Sequence, residues 1–525
     1  MNNWVIDTLF VLLVLSAVAL WQRYKTYKAR GGLPLPPGPS GLPVFGNFFD
    51  VPKSYEWITY RDWSVQYASE IVHFEVFGAH TIIVNTARAA YELFEKRSAL
   101  YSDRPTFAGM KILGVEWVMS LVHYGPAWRL QRKAFHEEFK SEVLARYDGL
   151  QETAIHTLLR SLVTDPDDFR TNIKYMTGSV IMRIAFGIEL QDRSDPLVNT
   201  AENTLHLMNI GVSLSGLIFD FVPFLQHMPA WFPGAGLKKY AAKVRSSGIH
   251  RAAIDGPWYT MEKAKLAGVN DEKQSSAAAN IYDRYKDHPD GLEYLKSVTG
   301  TMYIGGADTT VSSITSLIMA MALYPDVQKR AQEELDAVLG GALPTFADQD
   351  SLPYVNALVK EVFRWYPVTS LAVPHALTED DVYEGMFIPG GSTVIGNVWA
   401  ILHDPALYPS PESFIPEHFI STDNGGSYPA EACKDGEPPF PHVAFGFGRR
   451  ICPGRALAMT SVWLTVASIL AMFKITPAKD ESGADIPIVQ TWSSGIVGYP
   501  GPFRCTITPR SEKARGMVLA TAAEE

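Results

Sequence analysis

The sequence predicts a mainly helical protein with small β-sheets, an α+β body preceded by one transmembrane helix. Three observations carry this prediction. Helical patterning dominates residues 87–340. Strand-like runs rich in β-branched and aromatic residues are confined to 71–84, 371–395 and 485–508. Residues 4–21 are largely apolar, with Asp7 the single charge, and long enough to cross a bilayer as a helix.

The apolar N-terminal run has two readings. Ala17-Val18-Ala19 could serve as a cleavage site, which would make the run a removed secretion signal. The charges favour an uncleaved anchor: no Lys or Arg precedes the run, whereas Arg23, Lys25, Lys28 and Arg30 follow it at once. The positive-inside rule then leaves residues 1–3 lumenal and the body cytosolic, as expected for a single-pass membrane protein. The absence of any Asn-x-Ser/Thr sequon fits a non-lumenal body. Residues 22–40 form a basic, proline-rich hinge ending in Pro34-Leu35-Pro36-Pro37-Gly38-Pro39, a stiff spacer of polyproline type. The folded body is expected over 41–510 and a disordered tail over 511–525.

Within the body, Ile71–Phe77 and Thr81–Val84 read as two strands joined at Gly78-Ala79-His80. Long loops are expected at 101–125 and 210–237. The second, from Phe219 to Gly234, is aromatic and proline-rich, and reads equally as a buried loop or as a membrane-touching surface. Composition narrows the function. Hydrophobic residues make up 47% and charged residues 19%, which excludes a disordered or fibrous chain. A formal charge of −10 argues against a nucleic-acid partner. Three cysteines, Cys433, Cys452 and Cys505, are too few and too scattered for a disulfide framework.

One of them sits in a segment that carries chemistry: Phe445-Gly446-Phe447-Gly448-Arg449-Arg450-Ile451-Cys452-Pro453-Gly454-Arg455, followed by an apolar helical run. A glycine-rich turn presents Cys452 just before a helix start, where backbone N–H groups and the positive dipole end stabilise a thiolate. Arg449, Arg450 and Arg455 add positive charge suited to carboxylates. A lone Cys is usually structural, but three glycines and three arginines around it oppose that reading.

This segment resembles the haem-binding signature of the cytochrome P450 superfamily, Phe-x-x-Gly-x-Arg-x-Cys-x-Gly, at every fixed position. The resemblance extends over essentially the whole chain and is closest in style to fungal microsomal enzymes of secondary metabolism. It implies the P450 fold, haem b as cofactor, and Cys452 as the axial thiolate of the haem iron. It also implies that Arg450 binds a haem propionate and that Phe445 packs near the sulfur.

Further motifs agree. In Gly305-Gly306-Ala307-Asp308-Thr309-Thr310, Thr309 lies four residues after Gly305, so its hydroxyl can bond back to that carbonyl and open the helix locally. Alone, the glycines could merely permit close helix packing. The resemblance makes Asp308 and Thr309 the pair that delivers protons during oxygen activation. Glu361 and Arg364 share a helix face ended by Pro367, and resemble the family's structural Glu-x-x-Arg. Its usual third partner is an Arg, and His418 in Pro416-Glu417-His418-Phe419 departs from it; a His cannot form the bidentate fork. Trp128 and Arg132 match a Trp-x-x-x-Arg helix that contacts propionates in relatives, and His375 after Pro374 is a further candidate donor.

The resemblance implies a monooxygenase that inserts one oxygen atom from O2 into a lipophilic small molecule. Electrons would come indirectly from NADPH through a separate NADPH-cytochrome P450 reductase, with cytochrome b5 as a second donor, since the chain has no dinucleotide fingerprint. Arg129, Lys133, Arg449 and Arg455 would form the basic docking patch. By carry-over, Phe107, Val368, Leu371, Ile496 and Val497 line the substrate pocket. So apolar a wall suits terpenoid hydroxylation best, with polyketide or indole-type substrates close behind. A reductase-independent rearrangement or dehydration is opposed by the intact Asp308-Thr309 pair, and a non-catalytic haem carrier by the filled catalytic positions.

Overall fold

A computed structural model describes residues 17, 20, 21, 24–266, 276–420 and 442–523. The first strand signal forms β1 (Ile71–Val76) and β2 (Ala79–Val84), paired antiparallel. The turn is shorter than expected: Phe77 and Gly78 both adopt positive φ, as a two-residue hairpin requires, and Ala79 and His80 already belong to the second strand. Two later strands complete a four-stranded sheet in the order β1-β2-β6-β3, where β3 is His375–Ala376 and β6 is Thr393–Gly396. The β2–β6 pair is parallel, with Ile82 opposite Val394. Between β3 and β6 lies the hairpin β4 (Asp381–Tyr383) and β5 (Met386–Ile388). The last sheet joins β7 (Phe473–Pro477) to β8 (Cys505–Pro509). Of the strand signal at 485–508 only its end is therefore strand; residues 486–504 are irregular.

Helices make up the rest of the body. The central one, Gly291–Leu323, has its apolar residues buried on nearly every side, from Leu295 through Ala322. It packs against Phe169–Phe186, Pro196–Val212 and the helix Arg455–Met472 that follows the cysteine loop. Both the central helix and Arg455–Met472 are long and apolar enough to cross a membrane, but 83% and 72% of their apolar windows are buried by protein. All-round hydrophobicity here marks core helices.

Three expectations need correction. The stretch 101–125 is not one long loop: it contains the helix Ala108–Leu113 and a short 3-10 turn at Met119–Leu121. Likewise 210–237 contains Leu214–Phe221 and a 3-10 turn at Pro223–Gln226. That aromatic segment splits in character, since Phe219 and Val222 are buried while Trp231 is 74% exposed. The expected disordered tail at 511–525 instead carries a helix, Glu512–Ala520. Ser511 caps it by accepting the Ala514 N–H, Ala514 and Val518 bury one face, and Arg160 of the helix Asp148–Thr164 donates to Thr521.

Of the expected anchor at 4–21 only Ala17, Leu20 and Trp21 are described; the rest, with residues 1–3, lies outside the described residues. The proline hinge is docked rather than free: Pro34 accepts from the Phe387 N–H and Pro37 from the His73 N–H.

Candidate active site

The cysteine loop is set by two glycines with positive φ, Gly446 and Gly448. A Cβ at Gly448 would meet the Phe94 carbonyl at 2.1 Å, so only glycine allows this approach. The loop closes on itself through Cys452 N–H donating to Phe445 O at 2.8 Å, which places Phe445 beside the cysteine; its ring packs on Phe363 at 5.1 Å. Helix Arg455–Met472 starts three residues after Cys452, with Gly454 as its cap residue. Cys452 is accessible, yet protein surrounds it, and that burial raises its thiol above the ordinary range. The Gly454 N–H and the charges of Arg132 and Arg455 pull the other way but do not prevail. The dipole and arginines read from sequence are thus present, but burial outweighs them.

Around this loop the structure gathers positive charge. Buried Arg450 donates from Nε to Ser102 O at 2.7 Å and from Nη2 to Val122 O at 2.8 Å, while its guanidinium lies over the Trp128 ring at 4.4 Å. Its remaining terminal nitrogen, Nη1, is buried and has no partner among the described residues. Burial lowers Arg450 to about 10. Arg132 reaches Ile451 O, and burial lowers it as well. Arg104, which sequence reasoning missed, is 4% exposed and among the described residues donates only to the backbone oxygens of Ser120, Val373 and Pro374. Burial and the charge of Arg450 press its pKa down. Asp103 opposes the shift of Arg104 and Arg450, but this carboxylate is already engaged by the Tyr124 N–H and by His123. Buried guanidinium groups with an orphaned N–H are costly unless an anion joins them. The residues therefore fit the two carboxylates of haem.

His375 fits less simply. It is buried, with its Nδ1 2.6 Å from Tyr101 O, so Nδ1 carries the proton and Nε2 of the neutral ring is an acceptor. Burial, then Arg104, hold its pKa well below the usual value. As a donor to a carboxylate it needs a second proton, which a nearby dianion would supply the field to retain.

On the central helix, Gly305 is exposed and a Cβ there would meet nothing within 4 Å, whereas one at Gly306 would strike Ile181 at 2.7 Å. The two glycines thus have different tasks: Gly305 keeps a face open and Gly306 permits close packing. Thr309 donates to Gly305 O, as its spacing implied. Asp308 points elsewhere. It is 3% exposed and accepts a hydrogen bond from the Tyr499 hydroxyl, and burial raises its pKa. The acid and the alcohol adjacent in sequence are therefore not hydrogen-bonded to each other.

Glu361 and Arg364 are completely buried and form the bidentate pair, at 2.6 and 2.7 Å. His418 takes the place of the expected Arg: its Nδ1 lies 3.3 Å from both Glu361 oxygens and its Nε2 2.8 Å from Pro409 O. Of the pocket candidates, Val368, Leu371 and Ile496 are half-buried and Phe107 and Val497 buried. The Gly498 N–H donates to Val368 O, joining the 368–371 and 496–497 segments, and Asn209 accepts from the Ile496 N–H. Phe107 adopts positive φ and precedes helix Ala108–Leu113, whose first N–H is held by Asp220. Of the basic residues, Arg129 and Arg449 both lie over Tyr124, Arg455 contacts His442, and Lys133 is 3.9 Å from Glu137.

With that geometry established, similarity to known proteins is informative. The cytochrome P450 family model matches residues 36–504. The chain is 37% identical to cytochrome P450 monooxygenase 98 of Postia placenta, over 97% of each chain. It is 37% identical to a cytochrome P450 monooxygenase of Armillaria gallica, over 95% of this chain and 96% of the relative. Against a cytochrome P450 monooxygenase of Coprinopsis cinerea it is 36% identical, over 97% and 98% respectively.

Proposed function

We propose, from the premise that this chain belongs to the cytochrome P450 family, that it hydroxylates a lipophilic secondary metabolite, with a terpenoid skeleton the preferred class. Its enzyme class, a P450 monooxygenase and hence an oxidoreductase, follows from the family. Cys452 would be the axial ligand of haem b. Arg450, Arg132, Arg104 and Trp128 would hold its carboxylates, with His375 protonated beside them. Bound there, haem supplies the redox chemistry that activates O2.

The chain's own residues supply what surrounds that chemistry. Thr309, on the open face, and Asp308, behind it, would hold and move protons. The segments around Val368 and Ile496, with Phe107, would orient an apolar substrate and exclude water. Arg129, Arg449 and Arg455 offer a cationic surface for an acidic electron donor, for which an NADPH-dependent reductase at the endoplasmic reticulum membrane, with cytochrome b5, is the expected source. The apolar character of the pocket candidates supports a terpenoid over a charged substrate.

The observation that carries the haem reading is the buried, unpaired Nη1 of Arg450 among clustered guanidinium groups beside Cys452. The test is the reduced, CO-bound spectrum of the holoenzyme. Cys452→Ser should lose the thiolate-type band, and an unchanged band would sink the assignment. For the substrate, a saturable blue shift of the Soret band with terpenoids, and not with polyketides or indoles, is expected. The same shift with another class alone would replace the terpenoid reading.

A further inference from the structure

The pair Asp308–Tyr499 joins two parts of the molecule that sequence keeps far apart. Tyr499 belongs to the irregular segment before β8, and this segment is fastened at several points. Ser493 and Tyr499 exchange two hydrogen bonds, Ser493 N–H to Tyr499 O at 3.0 Å and Tyr499 N–H to Ser493 Oγ at 2.9 Å. Gly498 is held from both sides, its N–H by Val368 O at 2.8 Å and its carbonyl by the Ser312 hydroxyl at 2.6 Å. Ser312 lies one helical turn beyond Asp308 on the central helix, so the helix grips this loop at two successive turns. The same loop carries Ile496 and Val497.

A buried carboxyl with few neighbours takes whichever rotamer its hydrogen bonds select. Here the donor is the Tyr499 hydroxyl, and the loop that aims it is hydrogen-bonded within itself, to Val368 and to Ser312. We propose that Tyr499 is a positioning residue for proton delivery: it fixes the Asp308 carboxyl against the central helix and ties its orientation to the loop bearing Ile496 and Val497. The inference rests on the proton-relay role proposed above for Asp308 and Thr309. The charged and titratable groups around Asp308 are Tyr499 from this loop, Tyr303 from its own helix, and the Lys174–Glu202 ion pair, 2.8 Å apart on helices Phe169–Phe186 and Pro196–Val212. Lys174 favours the carboxylate and Glu202 opposes it. The Tyr499 hydrogen bond also favours the ionised form, so its loss leaves the acid holding its proton to higher pH.

The test is Tyr499→Phe in the reductase-supported holoenzyme, beside Asp308→Asn and Thr309→Ala. Peroxide released relative to product should rise by roughly three- to tenfold, the scale on which one neutral hydrogen bond acts. The pH dependence of that ratio should move to higher pH, which a purely structural role would not cause. Independently of turnover, the infrared carboxyl band that disappears in Asp308→Asn should move to higher frequency in Tyr499→Phe. An unchanged band and an unchanged ratio would overturn the proposal. Should Tyr499→Phe not accumulate, the wild-type band decides: a free-acid position overturns it and a hydrogen-bonded position supports it. If Asp308→Asn and Thr309→Ala both stay tightly coupled, the relay reading falls; if they uncouple and Tyr499→Phe does not, only the present inference falls.

Discussion

Replacing Arg364 by Lys is the sharpest probe of the buried framework beneath the cysteine loop. All five guanidinium N–H groups of Arg364 have acceptors: the two Glu361 oxygens and the backbone oxygens of Leu402, Pro411 and Ser413. An ammonium offers three donors from a single point, so at least two of these buried acceptors are abandoned. At about 1–3 kcal/mol each, the loss is about 2–6 kcal/mol, similar to the cost of breaking a buried ion pair. That is a large share of a domain's stability, roughly 5–15 kcal/mol. A holoenzyme heated while its Soret band is followed should lose the band roughly 2–6 °C earlier, at about 1 °C per kcal/mol for a chain of this size. A double-mutant cycle separates the cause. If the penalty comes from the stranded charge, Glu361→Leu with Arg364→Leu should cost less than the two single changes summed, by about 1–3 kcal/mol. Full haem content with a midpoint unchanged in Arg364→Lys, or strict additivity in the cycle, would refute the reasoning.

Other outcomes follow from the same geometry. Thr309→Ala should raise peroxide release at the expense of product, because its hydroxyl lies on the open face beside Gly305; tight coupling in that variant would count against the relay. Gly306→Ala should destabilise the fold by about 1–3 kcal/mol through collision with Ile181, whereas Gly305→Ala should leave thermal stability intact and impair O2 activation. Equal effects on melting would contradict the division of tasks. Burial pushes the Asp220 carboxyl up to about 6 from 3.8, so ionising it costs stability as pH rises through that window. Asp220→Asn should therefore stabilise the protein at pH values above the window by about 1–3 kcal/mol and leave it unchanged below, as read by thermal inactivation on either side. Reductase-driven turnover should fall as salt rises, because Arg129 and Arg449 are exposed; salt-independent turnover would remove the basic patch as the docking site.

What could be read from the chain alone divides along physical lines. The cysteine loop, the Gly305–Thr309 turn and the Glu361–Arg364 pair are local: their spacing sets their geometry, and each holds in three dimensions. Helix Glu512–Ala520 was local too. Its Ser511 cap and the spacing of Ala514 and Val518 are both present in the sequence. Tyr499 and Arg104 are different. Tyr499 acquires meaning only when the last loop folds over the central helix onto Asp308, and Arg104 only when the Ser102–Pro105 stretch meets Arg450 and the carbonyls of Val373 and Pro374. Neither partner is within a helical turn, so no period or motif announces it. His418 lies between these cases. Its position in Pro416–Phe419 marked it as a substitute, but only the fold shows how it suffices: Arg364 already satisfies both Glu361 oxygens, and the Ile415 N–H adds another bond. The carboxylate therefore needs no second fork. An Arg at 418 would crowd a second guanidinium into a site whose acceptors are taken, so His418→Arg should not stabilise this protein, and a raised melting midpoint in that variant would show that Glu361 still had unmet capacity.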